Sequence, residues 1–529
     1  MTGRNGCHAS KRRVIFFVSP QNITSPPWIY PPQLTFRPAL PVVLNNVDYQ
    51  LQEAQLKEMD RLLRVSGLEE EFAQRHLLIW LGDRDEAKVS GKAMIKQLER
   101  ARRALRCVIL MSWLRFPYRE MSVRLAQCPL FQWFCGLDRM DSIKVPSKSE
   151  LQRFTQLVDA ATLKELNAQL IAAAARPAGE VGEQALGLKN EIELKTIWMD
   201  STALKAPIHF PVDWVLLRDA TRTLMLAVDL IRRHGLKHRM AEPKSFQSRM
   251  NRLCMEMGSL RRKIDSEKGR KRVFRRMKKL MKTIQAHGQR HRDLLEEKWE
   301  RTDWSAKQAT RVIERIDNVL QQLPEAVKQA HARIIRKEQT ANDEKILSFY
   351  EPDANVIVRG KPEAEIEFGN SLLLAEQREG LIVDWDLHQG TAPNDSRQLR
   401  PCVERIQEAH GAQCVEAVGA DRQFDGPSVR AWLEESGIYN GVCPRSPKAL
   451  ENKRHAAKFQ KIQRRRAQSE ARIAILKNDF LGNPLQRRGF ENRELQVGWS
   501  VLAHNLWLLA RLKLAQDAEE PPEELREAA

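Results

Sequence analysis

Three acidic residues stand where a buried metal site could form. Segment 193–202 (ELKTIWMDST) is largely apolar up to Asp200, and segment 414–420 (CVEAVGA) is largely apolar up to Asp421. Such runs are typical of central strands that are buried on both faces. An ionised carboxylate beside a core is costly unless it is paired or binds a metal. Taken alone, Asp200 could also simply cap a turn.

The third carboxylate, Glu470, lies in a basic segment of helical character, RRRAQSEARIAILK. At about 100° per residue, Arg466 lies about 40° and Lys477 about 20° from Glu470 around a helix. Two neighbouring cations favour the ionised form of a carboxylate, which is the form that binds metal. An ordinary surface ion pair would show the same spacing and would contribute little.

The composition favours a polyanionic partner. The chain has 529 residues, with 87 Lys and Arg against 68 Asp and Glu, which gives a net charge of +19. This balance indicates nucleic acid first and an acidic membrane surface second. No run approaches the length of a membrane span. The eight cysteines include no CxxC pair, which is typical of reduced thiols in a cytoplasmic protein.

The two ends of the chain are predicted to be disordered, and the region before the first acidic segment is predicted to be helical. Residues 1–46 are Pro-rich and predict a disordered leader, and the acidic residues 516–529 predict a disordered tail. Residues 47–180 predict short helices, which suit either a DNA-binding helix-turn-helix module or an all-helical dimerisation domain. A linker is expected near 172–187, where Ala, Gly and Pro accumulate.

A long helical insertion is predicted over residues 213–345. Within 231–290 there are twenty Lys and Arg against four Asp and Glu, and an apolar stripe runs through the densest part. A solvated face would explain this pattern, but the excess of charge favours contact with phosphates. The candidate contacts are Arg275, Arg276, Lys278 and Lys279. A further amphipathic helix is predicted to end at Pro324.

The remaining elements follow a definite order. Strands are predicted at 355–359, 365–376, 380–386, 414–420 and 439–443, with helices between the third and fourth and between the fourth and fifth of them. The chain thus runs from a strand with Asp200 through the insertion, antiparallel strands and a helix to a strand with Asp421. A helix, a strand and the helix with Glu470 follow.

In this order and in four motifs the chain resembles the DDE transposases of bacterial insertion sequences, which belong to the RNase H-like, retroviral integrase superfamily. The motifs are DSTALKAPIHFPVDWVLL from Asp200, RGKPEAEIEFGNSLLLAE (359–376), GADRQFDGPSVRAWLEESGI around Asp421, and the Y-x2-R-x3-E-x6-K pattern at Arg466, Glu470 and Lys477. The chain departs from that pattern at Gln463, where the family has tyrosine.

The resemblance implies an α/β fold in which a helical insertion interrupts an RNase H-like catalytic core, preceded by an all-helical domain. The core would comprise residues 191–212 and 346–515. Asp200, Asp421 and Glu470 would be the catalytic residues and would bind two Mg²⁺ ions, with Mn²⁺ as a substitute. Arg466 and Lys477 would contact DNA phosphates.

The implied activity is phosphodiester cleavage at the ends of an insertion sequence, followed by strand transfer into target DNA. Double-stranded DNA would be the partner of a homodimer in the bacterial cytoplasm, at the nucleoid, without a membrane. Arg422 could contact DNA or, like Asp425, support the loop after Asp421. His388 could belong to the site or be structural. The alternative functions are an RNase H-like endonuclease and an inactive, transposase-derived DNA-binding protein.

Overall fold

The computed structural model describes residues 39–84, 88–137, 142–176, 186–189, 192–261, 266–361 and 364–518. These residues belong almost entirely to one compact unit, Leu40–Ala529. Nearly all of the predicted leader, the centre of the predicted linker and most of the predicted tail lie outside the described residues.

A mixed sheet holds the acidic segments. Its order is β2-β3-β1-β5-β6, and β4 also pairs with β3. Strand β3 is antiparallel to β1, β2 and β4, whereas β5 is parallel to β1 and β6. The strands are β1 Thr196–Lys205, β2 Asn355–Lys361, β3 Ala364–Glu376, β4 Ile382–Leu387, β5 Ala417–Ala420 and β6 Tyr439–Asn440. The α/β class expected from the sequence is confirmed.

Strand β1 is longer than predicted. It continues past Asp200 and pairs with β3 from Asp200↔Leu374 to Lys205↔Gly369. Thr202, Ala203 and Leu204 are buried, so the hydroxyl residues that suggested a turn belong to the strand. Asp200 therefore lies in the middle of β1, at the level where β5 ends.

The helices surround the sheet and build the inserted region. They are α1 Val47–Val65, α2 Leu68–Leu81, α3 Gly91–Leu114, α4 Tyr118–Gln127, α5 Pro129–Cys135, α6 Lys148–Phe154, α7 Ala160–Ala174, α8 Asp213–Arg233, α9 Pro243–Arg261, α10 Glu267–Lys298, α11 Ala306–His331, α12 Asp395–His410, α13 Pro427–Glu435, α14 Pro447–Lys453, α15 Ala457–Ile475 and α16 Phe490–Ala518.

The N-terminal helices α1–α7 share one hydrophobic core with the sheet and α16. Leu56, Leu105 and Leu166 belong to the same cluster of buried side chains as Met199 and Trp499. Helix α16 is buried on nearly all sides over its apolar part, as expected for a helix enclosed by other elements. It therefore joins the N-terminal helices to the sheet.

The inserted helices α8–α11 have a core of their own, which includes Leu224, Met277 and Ile316. Asp213, at the start of α8, accepts hydrogen bonds from Gln329 Nε2 and Arg333 Nη1, both at 2.9 Å. Because these donors lie near the end of α11, Asp213 ties the two ends of the insertion together.

The predicted end of a helix at Pro324 is wrong. Helix α11 continues through Pro324 to His331. Leu323, Ala326 and Ala330 are all fully or almost fully buried on both sides of the proline. Burial of this continuous apolar face outweighs the hydrogen bond that proline cannot donate.

Two expectations from composition hold for the residues that the structure describes. None of their helices is long and apolar enough to cross a membrane. The cysteines among them are all free thiols.

Candidate active site

The parallel pairing of β1 with β5 brings Asp200 and Asp421 side by side. The register runs from Thr196↔Ala417 to Met199↔Ala420. The next residue is Asp200 within β1 and Asp421 directly after β5. Neighbouring strands lie about 4.8 Å apart, so the two aspartates occupy adjacent positions at one edge of the parallel pair.

Asp200 carries the electrostatic signature of a crowded acidic site. Burial is the main cause that raises the pKa of Asp200 from 3.8 to about 6. The backbone N–H of Ser201 donates to its Oδ1 at 2.8 Å and opposes the rise. The charges of Asp421 and Glu470 raise this pKa further, whereas Arg466 lowers it. All three predicted carboxylates and Arg466 therefore lie within one electrostatic neighbourhood.

Helix α15 brings Glu470 and Arg466 to this edge because it packs closely on the sheet. The indole Nε1 of Trp198 donates to the carbonyl of Ile462 at 2.9 Å. A Cβ atom at Gly419 would lie 2.5 Å from Ile462 Cγ2, and one at Gly441 would lie 2.8 Å from the same atom. Glycine is required at both positions for this close approach. Glu470 itself is exposed.

Gln463, at the tyrosine position of the family pattern, turns toward the sheet. Its Nε2 donates to the carbonyls of Gly441 at 2.6 Å and Ala420 at 3.3 Å. Ala420 directly precedes Asp421. In this chain the first residue of the pattern thus links α15 to the backbone beside Asp421.

Lys477 lies just beyond the end of α15. Helix α15 ends at Ile475, and a π-helical segment, Leu476–Leu481, follows. Lys477 Nζ donates to Ala203 O at 2.8 Å and to Thr202 Oγ1 at 3.3 Å. The ammonium group therefore binds β1 just beyond Asp200.

The loop after Asp421 is held by its own polar contacts. Asp421 Oδ1 accepts from the backbone N–H of Gln423 at 2.8 Å. Asp425 is buried, accepts from the backbone N–H of Arg445 at 3.0 Å and forms an ion pair with Arg430. The side chain of Arg422 is exposed.

His388 has a structural contact. Its Nε2 lies 2.8 Å from Gln398 Oε1. This hydrogen bond joins the loop after β4 to helix α12.

The four candidate phosphate contacts of the insertion lie on α10, which packs on α8, α9 and α11. Arg275, Arg276 and Lys279 are exposed, and Lys278 is half-buried. Arg276 donates to Glu256 on α9 at 2.8 Å, so part of its charge is already neutralised. The other three cations form the more available part of this basic face.

Sequence reasoning missed Glu376, a buried carboxylate that contacts the inner side of α15. It lies at the end of β3 and contacts Arg465, Ser469 and Arg472. The signal that could have found it is the spacing of these three polar residues, which form one stripe of a helix at i, i+4 and i+7.

The three carboxylates act on one another electrostatically but do not form a compact set of metal ligands. Within the described parts of the chain, no three His, Cys, Asp or Glu side chains stand close enough together to hold a metal. Burial, together with the charges of Asp421 and Glu470, nevertheless raises the pKa of Asp200, and Arg466 offsets only part of this rise. A divalent cation would offset the negative charge of these carboxylates, so the residues present fit such a group.

The chain is thus an α/β protein in which one aspartate within a strand and one directly after the neighbouring strand lie near a helix that carries a glutamate and an arginine. Residues 371–506 match the family model described as transposase DDE domain, which confirms the resemblance to the DDE transposases. The matched stretch includes Asp421 and Glu470, whereas Asp200 lies outside it. No curated protein and no solved structure matches the chain.

Proposed function

We propose that this transposase binds the ends of an insertion sequence and catalyses metal-dependent DNA cleavage followed by strand transfer. The observation that carries the proposal is the pairing of β1 with β5, which aligns Asp200 with Asp421 beneath the helix of Glu470. The transposase DDE domain over residues 371–506 supports it independently.

We also propose that the sheet and its helices form an RNase H-like core. The core begins with β1, which contains Asp200, and the inserted helices α8–α11 follow. The core then continues with the antiparallel strands β2–β4 and helix α12. It is completed by β5 before Asp421, by α13 and β6, and by α15 with Glu470. This is the layout that the resemblance implied, and the separate core of α8–α11 supports the insertion.

In the proposed mechanism, Asp200, Asp421 and Glu470 would hold two Mg²⁺ ions, or Mn²⁺ in their place. When bound, the ions would activate the nucleophile, which is a water or a DNA 3′-OH, and would stabilise the leaving oxygen. Arg466, beside Asp200, would neutralise a phosphate of the cleaved strand. Lys477, bound to β1, would fix the strand just beyond Asp200. Arg422, exposed next to Asp421, would be a further phosphate contact.

The direct test is incubation of the purified protein with Mg²⁺ and labelled DNA from the regions that flank its coding sequence. Cleavage at the boundary of a terminal inverted repeat, followed by joining to a second DNA, is the expected result. Cleavage without joining would indicate an RNase H-like endonuclease instead. Binding without cleavage under all metal conditions would indicate a DNA-binding protein.

We expect the basic face of α10 to contribute to affinity for DNA through phosphates. Each phosphate contact that is lost should reduce the slope of log K against log salt by about 0.9. Combined replacement of Arg275, Lys278 and Lys279 with alanine should therefore flatten the salt dependence in a binding titration. Arg276→Ala is the matched control, because Glu256 already pairs with this side chain and its loss should change the slope less. An unchanged slope in the triple variant would show a solvated face.

We further propose that two copies act together on DNA in the bacterial cytoplasm, at the nucleoid. Joining both ends of an element to one target requires at least two active sites held together. Sedimentation of the protein with end DNA should give a complex whose mass equals two protein chains plus the bound DNA. A fully active complex that contains one chain would contradict this proposal.

A further inference from the structure

A buried carboxylate holds the inner side of the helix that carries Glu470. Glu376 is 4% exposed at the end of β3. Ser469 Oγ donates to its Oε1 at 2.5 Å, and Arg465 Nη1 donates to the same atom at 3.1 Å. Arg472 Nε lies 3.6 Å from Oε2. One anion thus binds three side chains that span two turns of α15.

The same two arginines also bind the turn that follows β3. Arg465 donates to the carbonyls of Gln377 and Arg378, and Arg472 donates to that of Glu379. A Cβ atom at Gly380, where φ is +96°, would lie 2.1 Å from Arg472 Nη2. The turn therefore leaves space for one guanidinium and supplies carbonyl acceptors for both.

Glu376 is close to the candidate active site but separate from it. The β1–β3 register pairs Trp198 with Glu376 and Asp200 with Leu374, so Glu376 and Asp200 lie on the same face of the sheet, on adjacent strands. Along α15, Ser469 and Glu470 are consecutive, as are Arg465 and Arg466. One residue of each pair contacts Glu376, and the other contributes to the electrostatics of Asp200.

We propose that Glu376 is a positioning residue, which fixes α15 on the sheet so that Glu470 is held beside Asp200 and Asp421. Glu376 is covered by the helix, so it acts through Glu470 and does not touch DNA. Removal of one partner from a buried ion pair is strongly destabilising, because it leaves an uncompensated charge in the interior. The role of Glu470 as metal ligand rests on the proposed function, whereas the anchoring of α15 does not.

The anchor can be tested on the metal-free protein by hydrogen–deuterium exchange. Glu376→Gln keeps the shape of the side chain but removes its charge, and it leaves two arginines without their anion. Exchange should increase in α15 by at least about tenfold, because the loss of one partner of a buried ion pair is strongly destabilising, and it should increase more in α15 than in α16. Unchanged exchange in α15 would overturn the proposal, whatever the protein does to DNA.

The effect on the site can be tested by titration with Mn²⁺, followed by electron paramagnetic resonance, together with the rate of cleavage at saturating DNA. Loss of a supporting contact around metal ligands typically costs about 10–100-fold in affinity or activity. We expect weaker Mn²⁺ binding and slower cleavage within this range, with unchanged binding of DNA. If the wild type neither binds Mn²⁺ nor cleaves, the proposed function fails, and the exchange experiment alone then decides the anchor.

Glu351→Gln provides the matched control. Glu351 and Arg493 form another almost fully buried ion pair, between the segment before β2 and helix α16. This control should lower the melting temperature as Glu376→Gln does, but leave Mn²⁺ affinity and exchange in α15 unchanged. Ser469→Ala, which removes one donor, should give a smaller change of the same sign and serves if Glu376→Gln does not fold. Equal Mn²⁺ affinity in wild type, Glu376→Gln and Ser469→Ala would reduce Glu376 to a structural ion pair.

Discussion

Asp421→Asn should abolish DNA cleavage and leave binding of the element end intact. The loss of one ligand of a catalytic ion removes several kcal/mol of transition-state stabilisation. Each 1.36 kcal/mol corresponds to a factor of ten, so we expect the rate to fall by about a thousandfold or more. Binding should persist because it depends on cations that contact phosphates, such as those of α10, and not on the carboxylate of Asp421. Single-turnover cleavage and a gel-shift titration measure the two effects separately.

Glu416→Gln is the control for this substitution. Glu416 directly precedes β5 at its other end, and its exposed side chain forms a surface ion pair with Lys195 at 3.4 Å. Its replacement should change neither cleavage nor binding. Equal loss of binding and cleavage in Asp421→Asn would show that the carboxylates and the phosphate contacts cannot be separated as proposed.

The strands and their acidic ends could be predicted because they depend on local patterns. Apolar runs of four to eight residues marked β1 and β5, and the order of elements along the chain matched the resemblance. The continuation of β1 through Thr202 could not be predicted, because only pairing with β3 buries that residue. A hydroxyl residue at the end of an apolar run is equally compatible with a turn and with a strand.

The placement of Lys477 illustrates a different limit. The angular argument assumed a regular α-helix, and the sequence carries no periodic signal for the π-helical segment that begins at Leu476. Arg466 and Glu470 precede that change, and both contribute to the electrostatics of Asp200 as the spacing indicated. Helical spacing is thus informative only within one regular helix.

Apart from the three carboxylates that the resemblance brought together, contacts between distant parts of the chain could not be predicted. Glu376 is a single charge at the end of an apolar strand, and its partners lie about 90 residues further along. The core that α1–α7 share with the sheet likewise depends on α16, which is the last helix of the chain. Local composition cannot reveal which apolar faces meet, so this shared core had no signal in the sequence of residues 47–180.

Asp200→Asn should stabilise the metal-free protein at alkaline pH while it abolishes cleavage. The folded protein raises the pKa of Asp200 from 3.8 to about 6, mainly by burial. Between about pH 4 and 6, the folded chain therefore binds a proton that the unfolded chain has released, so stability falls as the pH rises. Above pH 6 the ionised carboxylate costs up to about 3 kcal/mol, at 1.36 kcal/mol for each pH unit.

Asparagine keeps the acceptor for the N–H of Ser201 but carries no charge, so it removes this cost. In urea unfolding with EDTA, the variant should exceed the wild type by up to about 3 kcal/mol at pH 8. The difference should vanish below about pH 3, where the wild-type carboxyl is protonated in both the folded and the unfolded chain. Mg²⁺ should raise the melting temperature of the wild type and not that of the variant, since a ligand stabilises only the form that binds it. A variant no more stable than the wild type at pH 8 without metal would show that Asp200 is not under electrostatic stress. The acidic edge would then need no cation to balance it, and the main physical argument for a metal site there would be lost.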